Sequence, residues 1–126
     1  MPAQADREEL EHLVNQLQVQ NQQLQSIMMQ RQALTLQGRE VEKALEQLEA
    51  AGDEVYKSVG PILVRSSKAQ VKKDLEETKE DIDLKLQTLE KQEKKIKDRI
   101  KEAQDKFQTL AAQHQLAGQG GVGQGG

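Results

Sequence analysis

The chain contains no cysteine and no tryptophan, and its 126 residues include one tyrosine, Tyr56, and one phenylalanine, Phe107. Without cysteine there is no disulfide framework, no thiolate metal site and no cysteine nucleophile, a composition that fits a reducing cytosol. With aromatics at 2% and charged residues at 31%, the bulky side chains that fill a three-dimensional interior are nearly absent, which argues against a compact globule. No apolar run approaches membrane-spanning length, and the opening MPAQADREEL lacks the apolar stretch of a signal peptide. The expected compartment is therefore cytoplasmic. A net charge of -3 gives no strong attraction to nucleic acid or anionic lipid.

What is present is Leu, Gln, Glu, Lys and Ala, the composition of long helices. Leu10, Leu13, Leu17, Gln20, Leu24, Ile27, Arg31, Leu34, Gly38, Val41, Leu45 and Leu48 follow one another at alternating steps of three and four. That spacing is a coiled-coil seam. Asp6 and Glu9 suggest a capped start after a frayed residue 1–6 segment. Gly52 suits a left-handed C-terminal cap. A second seam runs Leu75, Lys79, Ile82, Leu86, Leu89, Glu93, Ile96, Ile100, Ala103, Phe107 and Leu110, with Ser67 and Gln70 as a capping box before it. Glu90/Lys94, Glu93/Lys97 and Asp81/Lys85 are spaced as i,i+4 ion pairs, each contributing about 0.2–0.5 kcal/mol. The helix should stop near Gly118, and AGQGGVGQGG reads as a flexible tail. Each helix of about 44 residues would be roughly 65 Å long at about 1.5 Å per residue. With a short connector they fold back antiparallel, which brings Leu10 near Leu110.

Between the seams lies EVYKSVGPILVRSS, Glu54 to Ser67. Val55, Tyr56, Val59, Ile62, Leu63 and Val64 are strand formers. Gly60-Pro61 fits a type II′ turn, with positive φ at glycine and the fixed φ of proline next. Residues 55–59 and 62–66 should therefore pair as a hairpin. An isolated two-stranded hairpin is marginal in water, and its unpaired edges invite other strands. The ribbon reads as an assembly element. The expected organisation is a coiled-coil helix over 1–52, a β-hairpin over 53–67, a second coiled-coil helix over 68–117 and a flexible glycine-rich tail over 118–126. The fold class is mainly α: a long antiparallel coiled-coil helical hairpin with a single β-hairpin at the bend.

On EVYKSVGPILVRSS and on LEKQEKKIKDRIKE, Leu89 to Glu102, nearly the whole chain resembles the beta-type subunits of archaeal-type prefoldin. The resemblance implies a molecular chaperone that binds non-native client proteins without ATP or any cofactor and passes them to a group II chaperonin. It implies partnership with a prefoldin alpha subunit, two alpha with four beta. In such a complex the hairpins join into a β-barrel platform from which coiled coils hang.

Two sets of residues carry that expectation. Leu10, Leu13, Val14, Leu17, Phe107, Leu110 and Leu116 lie at the end of the coil away from the bend, where splayed helices would present them to clients. The same residues could instead simply close the coil. Val55, Tyr56, Val59, Ile62, Leu63 and Val64 are the expected oligomer interface; the other reading packs the ribbon as a loop on its own helices.

Other features carry less. His12 and His114 could approach one another but have no company of metal ligands. Met28-Met29 reads as one seam-flanking and one partly exposed side chain. Residues 15–25, rich in Asn and Gln and uncharged, read as a neutral helix surface. The run from Lys91 to Lys101 is a charged surface without the aromatics that stack on bases. There is no paired catalytic constellation, no phosphate-cradling glycine loop before a helix and no nucleophile with a base, so an enzyme is not expected. The alternative from another class is a coiled-coil adaptor or spacer with a dedicated partner, but a spacer needs no β-assembly element.

Overall fold

A computed structural model describes the backbone of residues 2–125 and the side chains of residues 6–113. The elements are α1 (Pro2–Ala50), β1 (Val55–Val59), β2 (Ile62–Ser66) and α2 (Lys68–Gly125). Two long helices thus flank one antiparallel two-stranded hairpin, the architecture expected from the periodicity. The chain divides into two compact units: residues 29–91, which hold the hairpin, and residues 1–28 with 92–126. No helix among the described residues is long and apolar enough to cross a membrane.

Every seam position from Leu10 to Leu48 and from Leu75 to Leu110 is buried or half-buried. The buried apolar side chains are Leu13, Ile27, Leu48, Ile82, Leu89, Ile96, Ile100 and Ala103. No other part of the described chain is closed off to this degree, so the helical core is the seam and nothing more. Two helices shield each other only along one stripe, which is why most seam residues remain half-buried.

In the hairpin unit three ion pairs mark an antiparallel register. Arg31 Nη2 lies 3.8 Å from Glu90 Oε1, Lys79 Nζ 3.0 Å from Glu42 Oε1, and Lys72 Nζ 3.4 Å from Glu49 Oε1. Each advance along α1 is matched by an equal retreat along α2. Arg31 and Lys79 interrupt the apolar seams, yet each stays half-buried while its charge pairs with a carboxylate on the opposite helix. The hydrogen bond from Lys79 to Glu42 holds the ammonium above the ordinary lysine range. Of the three expected i,i+4 pairs, Glu93–Lys97 closes at 3.1 Å. Glu90 turns to Arg31 instead.

Gly38 stands in the seam opposite Ile82. A Cβ at Gly38 would meet Ile82 Cγ2 at 3.7 Å, an ordinary contact. Gly38→Ala is therefore expected to stabilise the coil by about 0.5–1 kcal/mol, because alanine loses less backbone entropy on entering a helix. The measurement is the thermal midpoint; an unchanged or lower value would show that the smaller residue is needed there.

The helix ends depart from expectation. α1 has 49 residues and α2 58. α1 begins at Pro2, so Asp6 lies inside the helix rather than capping it; proline at the first position loses no hydrogen bond and has a helical φ. Gly52 does not take the left-handed conformation: among the described residues positive φ occurs only at Gly60. At the start of α2, Ser67 Oγ accepts the Gln70 N–H at 3.1 Å, as a capping box requires. Among the described residues Gln70 makes no reciprocal bond to the Ser67 N–H; its Nε2 donates to Asp74 Oδ1 at 3.0 Å. The backbone of α2 continues helical to Gly125, past the stop expected at Gly118. The side chains of that segment, Leu116 among them, lie outside the described residues, and so does the expected flexibility of 118–126.

Candidate functional site

The hairpin pairs Val55 with Ser66, Tyr56 with Arg65, Lys57 with Val64, Ser58 with Leu63 and Val59 with Ile62. Gly60 has φ of 55°. Proline cannot take positive φ, which the second position of a type I′ turn demands, so Gly60-Pro61 closes the ribbon as type II′. Directly opposed residues share a face, and faces alternate along a strand. One face therefore carries Val55, Lys57, Val59, Ile62, Val64 and Ser66. The other carries Tyr56, Ser58, Leu63 and Arg65.

Both faces hold apolar side chains, and they are open. Tyr56 is 57% exposed, Ile62 58% and Leu63 73%; Val59 and Val64 are exposed too. Val55 alone among the six expected interface residues is half-buried. It lines an open groove of about 670 Å³ beneath β1, together with Ala44, Leu48, Ala51, Val71 and Leu75. The ribbon thus leaves five of the six expected interface side chains exposed in the isolated chain. It is a two-sided apolar strip, with β1 and β2 each paired on one edge only.

Polar contacts fix how this strip is held. Lys57 Nζ lies 3.2 Å from Asp74 Oδ2 on α2. That hydrogen bond, followed by the one from Gln70, holds the Asp74 carboxyl below its ordinary value. Arg65 Nη2 reaches Glu54 Oε1 at 3.4 Å. Lys68, the first residue of α2, donates from Nζ to Glu49 O at 3.0 Å and to Ala51 O at 3.2 Å. A cation thus closes the carbonyl end of α1, where the helix dipole is negative and carbonyls lack intrahelical donors. This performs the task the sequence assigned to Gly52. No local pattern could have shown it, because the donor is 17 to 19 residues away. Lys68→Met should lower stability by about 0.5–1.5 kcal/mol, the range for a hydrogen bond and a terminal charge. A denaturant midpoint identical to that of the parent would remove the cap from the account.

In the other unit the expected client-binding residues divide. Leu13 is 5% exposed and closes the coil. Leu10, Leu17, Phe107 and Leu110 are half-buried. Val14 is exposed. Leu10, Val14 and Phe107 come together with Glu11 and Asn15 around an open groove of about 430 Å³. As Leu10 and Val14 face Phe107, Gln23 and Ile27 face Gln92 and Ile96, so the helices of this unit also run antiparallel. Gln20, a seam position, is 7% exposed, and its Oε1 accepts no hydrogen bond. Met28, next to seam residue Ile27, is 52% exposed and Met29 71%. His114 lies outside the described side chains, and among the described residues no group of three or more His, Cys, Asp or Glu is placed to hold a metal.

Comparison with known proteins gives concordant matches. Residues 11–114 match the family described as prefoldin subunit. The prefoldin subunit beta of Archaeoglobus fulgidus is 43% identical over 104 residues, which span 81% of this chain and 90% of that protein. The prefoldin subunit beta of Thermococcus onnurineus is 37% identical over 103 residues, spanning 80% and 89%. Among solved structures, the prefoldin beta subunit from Thermococcus strain KS-1 superposes with a TM-score of 0.75 at 34% identity, covering 79% of this chain and 90% of that one.

Proposed function

The chain belongs to the prefoldin family as a beta-type subunit, and we propose that it works there as one arm of a hetero-oligomeric, ATP-independent holdase. A prefoldin subunit is a chaperone component and not an enzyme. In this reading the ribbon joins those of alpha-type and further beta-type subunits, two alpha with four beta. The coiled-coil ends bind non-native proteins, and the cargo passes to a group II chaperonin in the cytoplasm.

The observation that carries the reading is the ribbon with apolar side chains open on both faces. Fully burying a Val, Leu or Ile side chain contributes about 1.5–3 kcal/mol, so several such residues per ribbon reward association with other ribbons. The groove formed by Leu10, Val14 and Phe107 supports the second half of the reading. One such groove binds weakly, whereas several acting on one unfolded chain gain by effective concentration. The partly closed seam beside it supplies further apolar surface when the helices part.

The test joins two measurements. Co-expression with the alpha-type subunit of the same source should give a native mass of four copies of this chain with two of the partner. That complex should suppress aggregation of unrelated denatured proteins without nucleotide. A monomer or simple dimer would remove the assembly half, and a complex that suppresses nothing would remove the client half.

A further inference from the structure

Charge in the unit formed by residues 1–28 and 92–126 is distributed unevenly between its helices. On α1, residues 13–30 contain no Asp, Glu, Lys or Arg. On α2, residues 94–101 place Lys94, Lys95, Lys97, Arg99 and Lys101 against a single carboxylate, Asp98. This is a local inversion within a chain of net charge -3. Two open grooves lie along the flank where the uncharged stretch meets this basic one. The first, of about 380 Å³, is lined by Gln23, Ser26, Ile27, Gln92, Lys95, Ile96 and Arg99. The second, of about 400 Å³, shares Gln23 and Arg99 and adds Val19 and Gln20.

Neither groove has a carboxylate in its lining. Lys97 is engaged by Glu93, but Lys95 and Arg99 form no ion pair among the described residues. They stand four apart on one helical ridge, where like charges repel each other. The floor beside them is apolar, with Ile27 and Ile96 from the two seams. The neighbouring amides of Gln23 and Gln92 can donate and accept without adding charge.

From this juxtaposition we propose that the flank selects among client proteins, preferring unfolded segments whose apolar residues are bordered by Asp or Glu. The inference rests on the client-binding reading above and adds its substrate class. Apolar side chains of the segment lie over exposed Val19 and the narrow open edges of Ile27 and Ile96, and its carboxylates meet Lys95 and Arg99. The uncharged α1 face contributes neither attraction nor repulsion, so the cations alone set the sign of the preference.

The test uses the full-length chain assembled with its alpha-type partner and two fluorescent unstructured peptides. The peptides share the same apolar residues and spacing; one carries Asp and Glu at the bordering positions, the other Lys and Arg. Anisotropy at low salt should show the acidic peptide binding about fivefold tighter or more. The gap should vanish in 1 M salt, where the screening length is about 3 Å. The exposed double variant K95E/R99E, checked for native mass and helicity, should reverse the order. Equal binding of the two peptides, or an acidic preference that survives in the double variant, overturns the charge selection while leaving client capture intact. If neither peptide binds, both this inference and the client-binding reading fall.

Discussion

Val59→Asp or Ile62→Asp should convert the assembled complex into free subunits. Val59 and Ile62 are direct partners in the hairpin register, adjacent to the Gly60-Pro61 turn and on one face. Both are exposed in the isolated chain, so a carboxylate there costs the chain itself little. In an assembly that covers this face, each copy would bury an unpaired charge. Removing a carboxylate from water without a partner costs several kcal/mol per site even after relaxation. The penalty recurs in every copy of the chain, whereas the lost apolar contact accounts for only about 1.5–3 kcal/mol each. Native mass reads the outcome, and far-ultraviolet dichroism of the free variant should match the parent. An assembly of normal mass from either variant would refute the role given to the ribbon.

The seams and the ribbon were legible because each expresses a period. Steps of three and four from Leu10 to Leu48 and from Leu75 to Leu110 name the positions that the structure closes off. The strand formers around Gly60-Pro61 name both strands with their limits. Helix ends were read less well, since their hydrogen bonds are settled by whichever donor is near in space. Lys68 reaches back to Glu49 and Ala51, making a left-handed Gly52 unnecessary. Gln70 donates to Asp74, which also receives Lys57. The proposed client-binding residues show a finer limit. Leu13 and Val14 are neighbours of similar hydrophobicity, and a one-residue step turns the first inward and the second outward. Periodicity identifies the seam but gives no measure of how far the coil closes over each residue.

That contrast between Leu13 and Val14 shapes the second large prediction. The double variant Leu13→Ser with Phe107→Ser should abolish aggregation suppression by the assembled complex while native mass stays unchanged. Two effects combine in it: the groove loses Phe107, and the closed seam loses Leu13, whose truncation costs roughly 2–5 kcal/mol of local packing. Val14→Ser separates them. Val14 is exposed, so its loss removes groove surface with little effect on the coil, and suppression should fall about two- to fivefold at unchanged amide exchange. In the proposed opening of the coil, Gln20 favours parting of the helices. Its buried, unpartnered Oε1 costs about 1–3 kcal/mol relative to a satisfied oxygen, and parting of the helices lets water reach it. Gln20→Leu should accordingly slow amide exchange in residues 10–27 and 92–110. If neither the serine double variant nor Val14→Ser changes suppression, these residues only close the coil and the client-binding surface lies elsewhere on the subunit.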